Sequence, residues 1–232
     1  MLPEPPPPEL GAVLFDMDGT VVDTEGLWRR ACAEVAAELG LLPGEVDPEH
    51  VHGRPAEHTA AHLQRPGVPL GWISERLTGG FARLIALGVT PLPGALALLD
   101  GLASAGVPTA LVTASSRRIV EPVLRTVGAE RFRLVVAAED APRGKPAPDP
   151  YLLAAAGLGV DPAVCVAVED SPVGLASALA AGCRAVAVSG AAVSGGAVGA
   201  RAVPYGVLSV NSLEKIDVTL LRRLVAGEIS IG

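Results

Sequence analysis

Residues 12–20 read Ala12-Val13-Leu14-Phe15-Asp16-Met17-Asp18-Gly19-Thr20. The first four form an apolar run of the length of a short buried strand, and the run ends at a carboxylate. On a continuing strand, two acids one residue apart would point to opposite faces. Gly19 lets the backbone turn at once, so Asp16 and Asp18 can lie near one point at the mouth of a sheet. An oxygen nucleophile beside a proton donor, with a Gly-Thr turn offering backbone N–H groups, is the equipment of phosphoryl transfer. Taken alone, the stretch reads equally as a strand followed by an ordinary acidic turn.

Outward from this stretch the pattern changes twice. From Glu25 to about Leu87 the periodicity is helical. Leu27, Ala31, Val35 and Leu39 mark one face of a helix that Gly40 ends, Glu57 to Leu63 gives a second helix, and Trp72 to Leu87 gives a third with Trp72, Leu77, Phe81, Leu84 and Ile85 on its apolar side. Pro91-Leu92-Pro93-Gly94 reads as a linker. Beyond it, strands and helices alternate. Strands are expected at Pro108 to Thr113, Leu134 to Ala138, Val164 to Val168, Ala185 to Val188 and Val207 to Val210. Helices are expected at Ala95 to Ala105, Arg117 to Val127, Asp149 to Gly157, Val173 to Ala181 and Leu213 to Val225. Repeated βα units imply an α/β fold, a doubly wound parallel sheet with helices on both faces. Its first strand is separated from the rest by an inserted all-helical domain. The expected division is a Pro-rich tail over 1–9, a core of 10–24 and 91–232, and a helical insert over 25–90. Ligands of such sheets bind at the carboxyl ends of the strands.

Three of those ends carry chemistry. The strand Ala110-Leu111-Val112 leads into Thr113-Ala114-Ser115-Ser116, whose hydroxyls and N–H groups could hold a phosphate or could simply cap the next helix. Lys145 lies in Arg143-Gly144-Lys145-Pro146-Ala147-Pro148-Asp149-Pro150. A loop lysine is ordinarily just solvated, but the prolines stiffen this loop and fix where the ammonium points. The strand Val164 to Val168 runs into Glu169-Asp170-Ser171, with Pro172 starting a helix. Adjacent acids at the end of an apolar strand are costly unless paired or metal-bound, although Asp170 or Ser171 could equally be an N-cap. With Asp16 and the Asp18 carbonyl, Asp170 would complete an oxygen-rich site suited to Mg²⁺.

Composition narrows the class. The chain has 232 residues, half of them hydrophobic and only 3% aromatic, so a large core must be built from Ala, Val and Leu. A net charge of −7 argues against a nucleic-acid partner. The three cysteines, Cys32, Cys165 and Cys183, have no metal or redox spacing and read as buried small hydrophobes in a reducing compartment. No stretch reads as a signal peptide or membrane span, and the Ala/Gly-rich segment from Ala180 to Val203 is broken by Gly and Arg. A cytoplasmic protein with no membrane partner is therefore expected. His58 and His62 have an i,i+4 spacing but no completing ligand, so exposed histidines are expected there. The composition does not specify an oligomeric state.

The ordered set DMDGTVVDTE (Asp16 to Glu25), LVTASS (Leu111 to Ser116), GKPAPDPY (Gly144 to Tyr151) and VEDSPVG (Val168 to Gly174) resembles the haloacid dehalogenase-like hydrolase superfamily. It is most similar to the branch of β-phosphoglucomutase and the small sugar-phosphate phosphatases. The resemblance implies a Mg²⁺-dependent phosphomonoester hydrolase acting on a small phosphorylated metabolite, a sugar or polyol phosphate. Asp16 would be the nucleophile forming an aspartyl-phosphate, and Asp18 the general acid and then base. Thr113 and Lys145 would hold the phosphoryl oxygens. Gly19, Thr20, Ala114, Ser115 and, from the insert, Arg54 would contact substrate. Asp16, Asp18 through its carbonyl, Asp170 and Glu169 (directly or through a water) would hold the metal. The insert would be a mobile cap hinged near Val22 to Glu25 and Pro91 to Gly94. A cap with Trp28, Trp72 and Arg54 would suit a small phosphosugar.

The alternatives are a β-phosphoglucomutase-type mutase, a phosphoglycolate or nucleotide phosphatase, and a non-enzymatic receiver-type phospho-switch. The mutases carry a cap histidine where this chain has Trp28, which favours hydrolysis. The chain's two lysines, Lys145 and Lys215, leave no cap lysine for phosphonate chemistry, and the second Asp of the motif is absent from haloacid dehalogenases. Receivers are about half this length and lack the helical insert.

Overall fold

The computed structural model describes residues 7–51, 56–189, 204 and 206–229. Met1 to Pro6 of the Pro-rich tail, the Gly53-Arg54 turn and most of the Ala/Gly-rich segment up to Val203 lie outside the described residues. Six strands form one parallel sheet: β1 (Ala12–Phe15), β4 (Thr109–Val112), β5 (Leu134–Val136), β6 (Cys165–Glu169), β7 (Arg184–Val188) and β8 (Leu208–Val210). Their spatial order is β5-β4-β1-β6-β7-β8, so β1 is central, in register with β4 (Leu14 opposite Ala110) and β6 (Phe15 opposite Val168). The chain reverses its direction of travel across the sheet on either side of β1, which opens a crevice at the β1 carboxyl end.

Strand alternation sorts the core into two layers. Val13, Phe15, Leu111, Val166 and Val168 join one cluster with residues of α4 (Ala95–Ser104), α5 (Arg117–Val127) and α8 (Val218–Val225). Ala12, Leu14, Ala110, Val112 and Ala167 join a second with residues of α6 (Asp149–Leu158) and α7 (Pro172–Ala180). That second layer is rich in alanine, and the large side chain filling it is Tyr151, which is fully buried. With few aromatics available, the chain puts its bulk where the small residues leave space.

Between β1 and β4 the chain forms α1 (Glu25–Glu38), α2 (Ala56–His62) and α3 (Leu70–Leu87). The base of this helical block is a two-residue antiparallel pair, β2 (Val22–Asp23) with β3 (Thr90–Pro91), so entry and exit lie side by side. Part of the expected linker is therefore a strand, which two residues ending in proline do not announce. Helix α3 lies against α5, where the Arg118 guanidinium faces Gly79.

Several details differ from expectation. The buried stripe of α1 is Trp28, Ala31, Cys32, Val35 and Ala36, rotated from the expected Leu27–Leu39 face. Helix α3 starts at Leu70 and buries Ile73, whereas Trp72 stands 42% exposed with the Arg76 guanidinium 5.8 Å from its ring centroid. Trp28 packs edge-on against Phe81 and its indole N–H donates to the Val51 carbonyl at 2.8 Å. Trp28 is part of the core, and Trp72 lies on the surface. Helix α8 begins at Val218 because the Asp217 carboxylate caps it by accepting from the Leu220 N–H, while residues Leu213–Lys215 form a separate 3-10 turn. The histidines associate rather than stand alone: His50 Nδ1 lies 3.0 Å from His58 Nε2, and the His62 ring stacks on His50 at 4.2 Å. All three cysteines are buried and unpaired, as expected. Among the described residues no helix is long and apolar enough to cross a membrane.

Candidate active site

The carboxyl ends of β1, β4 and β6 and the loop before α6 converge on one point. The Asp16 N–H donates to the Val168 carbonyl at 3.0 Å, carrying the β1–β6 ladder one step past β1. This delivers the Asp16 carboxylate beside Glu169 and Asp170. One oxygen from each of these three acids lies within 4.8 Å of the others.

Lys145 enters from the stiff loop, whose Lys145–Pro146 peptide is cis. Its ammonium is almost wholly buried and donates to Asp16 Oδ1 at 2.6 Å, Glu169 Oε1 at 2.5 Å and the Val112 carbonyl at 2.9 Å. All three donors of the ammonium are therefore placed. The loop itself is tied down by Ser177 of α7, whose hydroxyl donates to the Ala147 carbonyl at 2.5 Å.

Glu169 is fully buried at the end of β6. Besides Lys145, its Oε1 accepts from the Tyr151 hydroxyl at 2.7 Å. Its Oε2 accepts from the Ser171 hydroxyl at 3.0 Å and the Ser171 N–H at 3.3 Å. Each oxygen thus already accepts two hydrogen bonds, so this acid is within ligand reach of Asp16 and Asp170 while facing the ammonium. A Cβ at Gly174 would run into the Glu169 carboxylate, which explains a glycine in the first turn of α7.

Asp18 stands on the other side. Its Oδ1 accepts from the Thr24 hydroxyl at 2.7 Å, and its Oδ2 from the Ser115 hydroxyl at 2.7 Å and the Thr113 hydroxyl at 3.4 Å. The capping alternative for this loop is not realised by Thr113 or Ser115. The cap of α5 is Ser116, which makes no side-chain capping bond and whose buried hydroxyl has no partner. At α7 the cap is Ser171, which accepts from the Gly174 N–H, leaving Asp170 uncommitted to the helix. Asp170 instead meets the turn after Asp18: the Thr20 hydroxyl donates to Oδ1 at 3.4 Å, and Gly19, at φ 80°, has no room for a Cβ against its carboxylate. The N–H groups of Gly19 and Ser115 are engaged, with the Val22 carbonyl and the Thr113 hydroxyl respectively, and Ala114 is exposed between its neighbours.

Of the four carboxylates at the site, Asp16 and Glu169 share the Lys145 ammonium. Burial raises the Asp16 carboxyl well above its usual range, opposed by Lys145 and reinforced by Glu169, Asp170 and Asp18. Burial, then the Glu169 charge, pushes Asp170 up to about 7. Asp16 and Glu169 hold Lys145 firmly protonated against the opposing effect of burial. Such a surplus of negative charge on oxygen donors fits a hard divalent cation, and magnesium is the one suited to a few carboxylates plus water.

The structure thus brings Asp16, Asp18, Gly19, Thr20, Thr113, Ser115, Lys145, Glu169 and Asp170 together, with Ala114 on the same loop. Arg54 lies outside the described residues. Sequence reasoning gave no role to Thr24, Tyr151 or the Val112 carbonyl. Tyr151 sits in the quoted GKPAPDPY stretch, but its partner is 18 residues away on β6.

A family model for haloacid dehalogenase-like hydrolases matches residues 10–182. The chain is 40% identical over 182 residues to hexitol phosphatase A of Escherichia coli K12, covering 76% of this chain and 82% of that protein. It is 35% identical over 182 residues to the fructose-1-phosphate phosphatase YqaB of the same organism, covering 76% and 95%. Among solved structures, CbbY from Rhodobacter sphaeroides in complex with phosphate superposes with a TM-score of 0.74 at 30% identity, covering 89% of this chain and 96% of that one. The chain therefore belongs to the haloacid dehalogenase-like hydrolase family, and it is a phosphoric monoester hydrolase of that family's phosphatase kind.

Proposed function

We propose that the protein is a Mg²⁺-dependent phosphatase that hydrolyses a small sugar or polyol phosphate through an aspartyl-phosphate on Asp16. The observation that carries this reading is the Asp16–Lys145 contact, a buried nucleophile gripped by a saturated ammonium and flanked by Asp18 and Asp170. Asp16 Oδ2 is the oxygen left to attack phosphorus, since Oδ1 accepts from Lys145. Asp16, Asp170 and the Asp18 carbonyl would hold the metal, with Glu169 behind them on Lys145 or reaching it through a water. Bound there, Mg²⁺ would offset the repulsion between the Asp16 carboxylate and a phosphoryl dianion. Thr113 receives one transferring oxygen, and Lys145 receives another by exchanging one of its three present acceptors for it when substrate binds. Gly19, Thr20, Ala114 and Ser115 line the pocket around them.

Asp18 protonates the leaving alkoxide and then removes a proton from the attacking water. The hydroxyls of Thr24 and Ser115 hold its carboxylate at both oxygens, which keeps it oriented until substrate arrives. The helical block over 25–90 acts as a cap that closes on the β2–β3 base, excludes water and reads the leaving group, with Arg54 contributing to that reading. Relatives named for hexitol and fructose 1-phosphates support the substrate class. Trp28 supports hydrolysis over mutase chemistry, because an indole locked to Val51 offers the sugar no proton-transfer group. The test is phosphate release from hexitol, fructose and glucose phosphates beside phosphoglycolate and a nucleoside monophosphate, with Mg²⁺ and with EDTA. Metal-dependent preference for the sugar or polyol esters is expected. A preference for phosphoglycolate or the nucleotide would overturn the substrate class.

A further inference from the structure

Tyr151 is the third residue of α6 and is wholly buried among alanines, valines and cysteines. Packing alone asks only for a ring there. A phenylalanine would fill the same space without bringing a hydroxyl that must find a partner. The hydroxyl is nevertheless present and is spent on one atom, Glu169 Oε1, at 2.7 Å. That same oxygen accepts from Lys145 Nζ, and Nζ also lies 5.2 Å from the centroid of the Tyr151 ring. Tyr151 therefore touches both members of the buried pair that grips Asp16, the carboxylate with its hydroxyl and the ammonium with its ring face. A phenol is protonated at neutral pH and a carboxylate only accepts, so the hydroxyl is the donor.

We infer that Tyr151 is a positioning residue for the phosphatase reaction. Through Glu169 it holds the Lys145 ammonium at the distance from Asp16 that phosphoryl transfer requires. This rests on the proposed role of Asp16 and Lys145. The logic is one of saturation. Glu169 has four donors, two on each oxygen, and Lys145 has three acceptors, so in the free site the partners of Glu169 and Lys145 are already in place. Removing the tyrosine hydroxyl leaves Oε1 one donor short. The carboxylate can then turn toward Lys145 and draw the ammonium off Asp16. Asp170 bonds the Thr20 hydroxyl on the other side of the site, away from the Tyr151–Glu169 bond.

The test is Tyr151→Phe, read two ways. Activity should fall through kcat by about 10-fold or more, as when an outer partner of a working group is removed, with substrate KM unchanged. The second reading is independent of catalysis. The chain has two lysines, Lys145 and Lys215. Protein made with ¹³Cε-labelled lysine therefore gives two methylene signals, and the variant should move the Lys145 signal and leave Lys215 in place. A wild-type kcat, or an unmoved Lys145 signal, overturns the inference. If Tyr151→Phe does not fold, the wild-type protein still decides. A nuclear Overhauser effect between the Tyr151 ring and the Lys145 ε-methylene is expected, and its absence overturns the inference. Failure of the functional reading is distinguishable: the wild-type enzyme would then release no phosphate from any ester while the lysine signals still reported the Tyr151 contact.

Discussion

Lys145 is the cation that lets Asp16 and Glu169 share a dry strand end, so replacing it by methionine should unbalance the whole site. The aliphatic stem is kept and the ammonium lost. Asp16 and Glu169 each lose a charged donor at 2.6 and 2.5 Å, and the Val112 carbonyl loses one at 2.9 Å. Removing one partner of a buried ion pair costs roughly 3–5 kcal/mol, because the remaining charge stays buried and unpaired. At about 2–4 °C per kcal/mol for a domain of this size, the unfolding midpoint should fall by roughly 6–20 °C. The measurement is thermal unfolding in EDTA near pH 8, so that no metal compensates. Neutralising the second acid should return part of the loss. Lys145→Met combined with Glu169→Gln should unfold about 1–3 kcal/mol higher than additivity allows, since the two side chains are in contact. Both variants should be inactive as phosphatases. A Lys145→Met protein within about 1 kcal/mol of wild type, below the cost of an orphaned buried charge, would refute the reasoning, as would a purely additive double variant.

Other consequences can be checked alongside. Gly19→Ala forces a Cβ into the Asp170 carboxylate at a left-handed backbone position. It should cost about 1–2 kcal/mol of stability and raise the Mg²⁺ requirement for activity in a metal titration. Asp18→Asn keeps the shape clasped by Thr24 and Ser115 but removes the proton carrier. It should slow turnover by about 10²–10⁴-fold in steady-state kinetics. Burial pushes Cys165 up to about 11 and Cys32 and Cys183 up to about 12, so the native protein should resist iodoacetamide at pH 8 and label only on unfolding. Because these folded values lie above the unfolded one, the stability they contribute is present below about pH 9 and lost as pH rises toward 11–12. Unfolding midpoints should accordingly decline over that range.

Much of this was legible in the sequence because local signals agree with the global fold. The period switch at Pro91–Gly94 separates the helical block from the βα units, and helix α5 runs over Arg117–Val127, the bounds its apolar spacing predicts. The acids were legible because an apolar strand that ends in carboxylates is costly without a purpose. What escaped depends on partners far apart in the chain. Nothing near Tyr151 reveals that its hydroxyl meets Glu169, and nothing in Val22-Asp23 or Thr90-Pro91 marks two-residue strands that exist only because they pair with each other. The buried helix faces sit one position from the expected ones at Trp28 and Trp72. Both are amphipathic rings, and helical spacing alone does not say which will be core. Thr24 immediately precedes α1 yet makes no capping bond, and its hydroxyl goes to Asp18, a partner six residues back that no local signal marks.

The central claim is that Asp16 carries the phosphoryl group, and the most direct measurement is phosphate release from a hexitol phosphate by wild-type and Asp16→Asn proteins, with Mg²⁺ and with EDTA. The account predicts metal-dependent turnover by the wild type and a loss of at least ~10³-fold in the variant, the scale seen when a covalent nucleophile is removed. An Asp16→Asn protein that releases phosphate at the wild-type rate would contradict it.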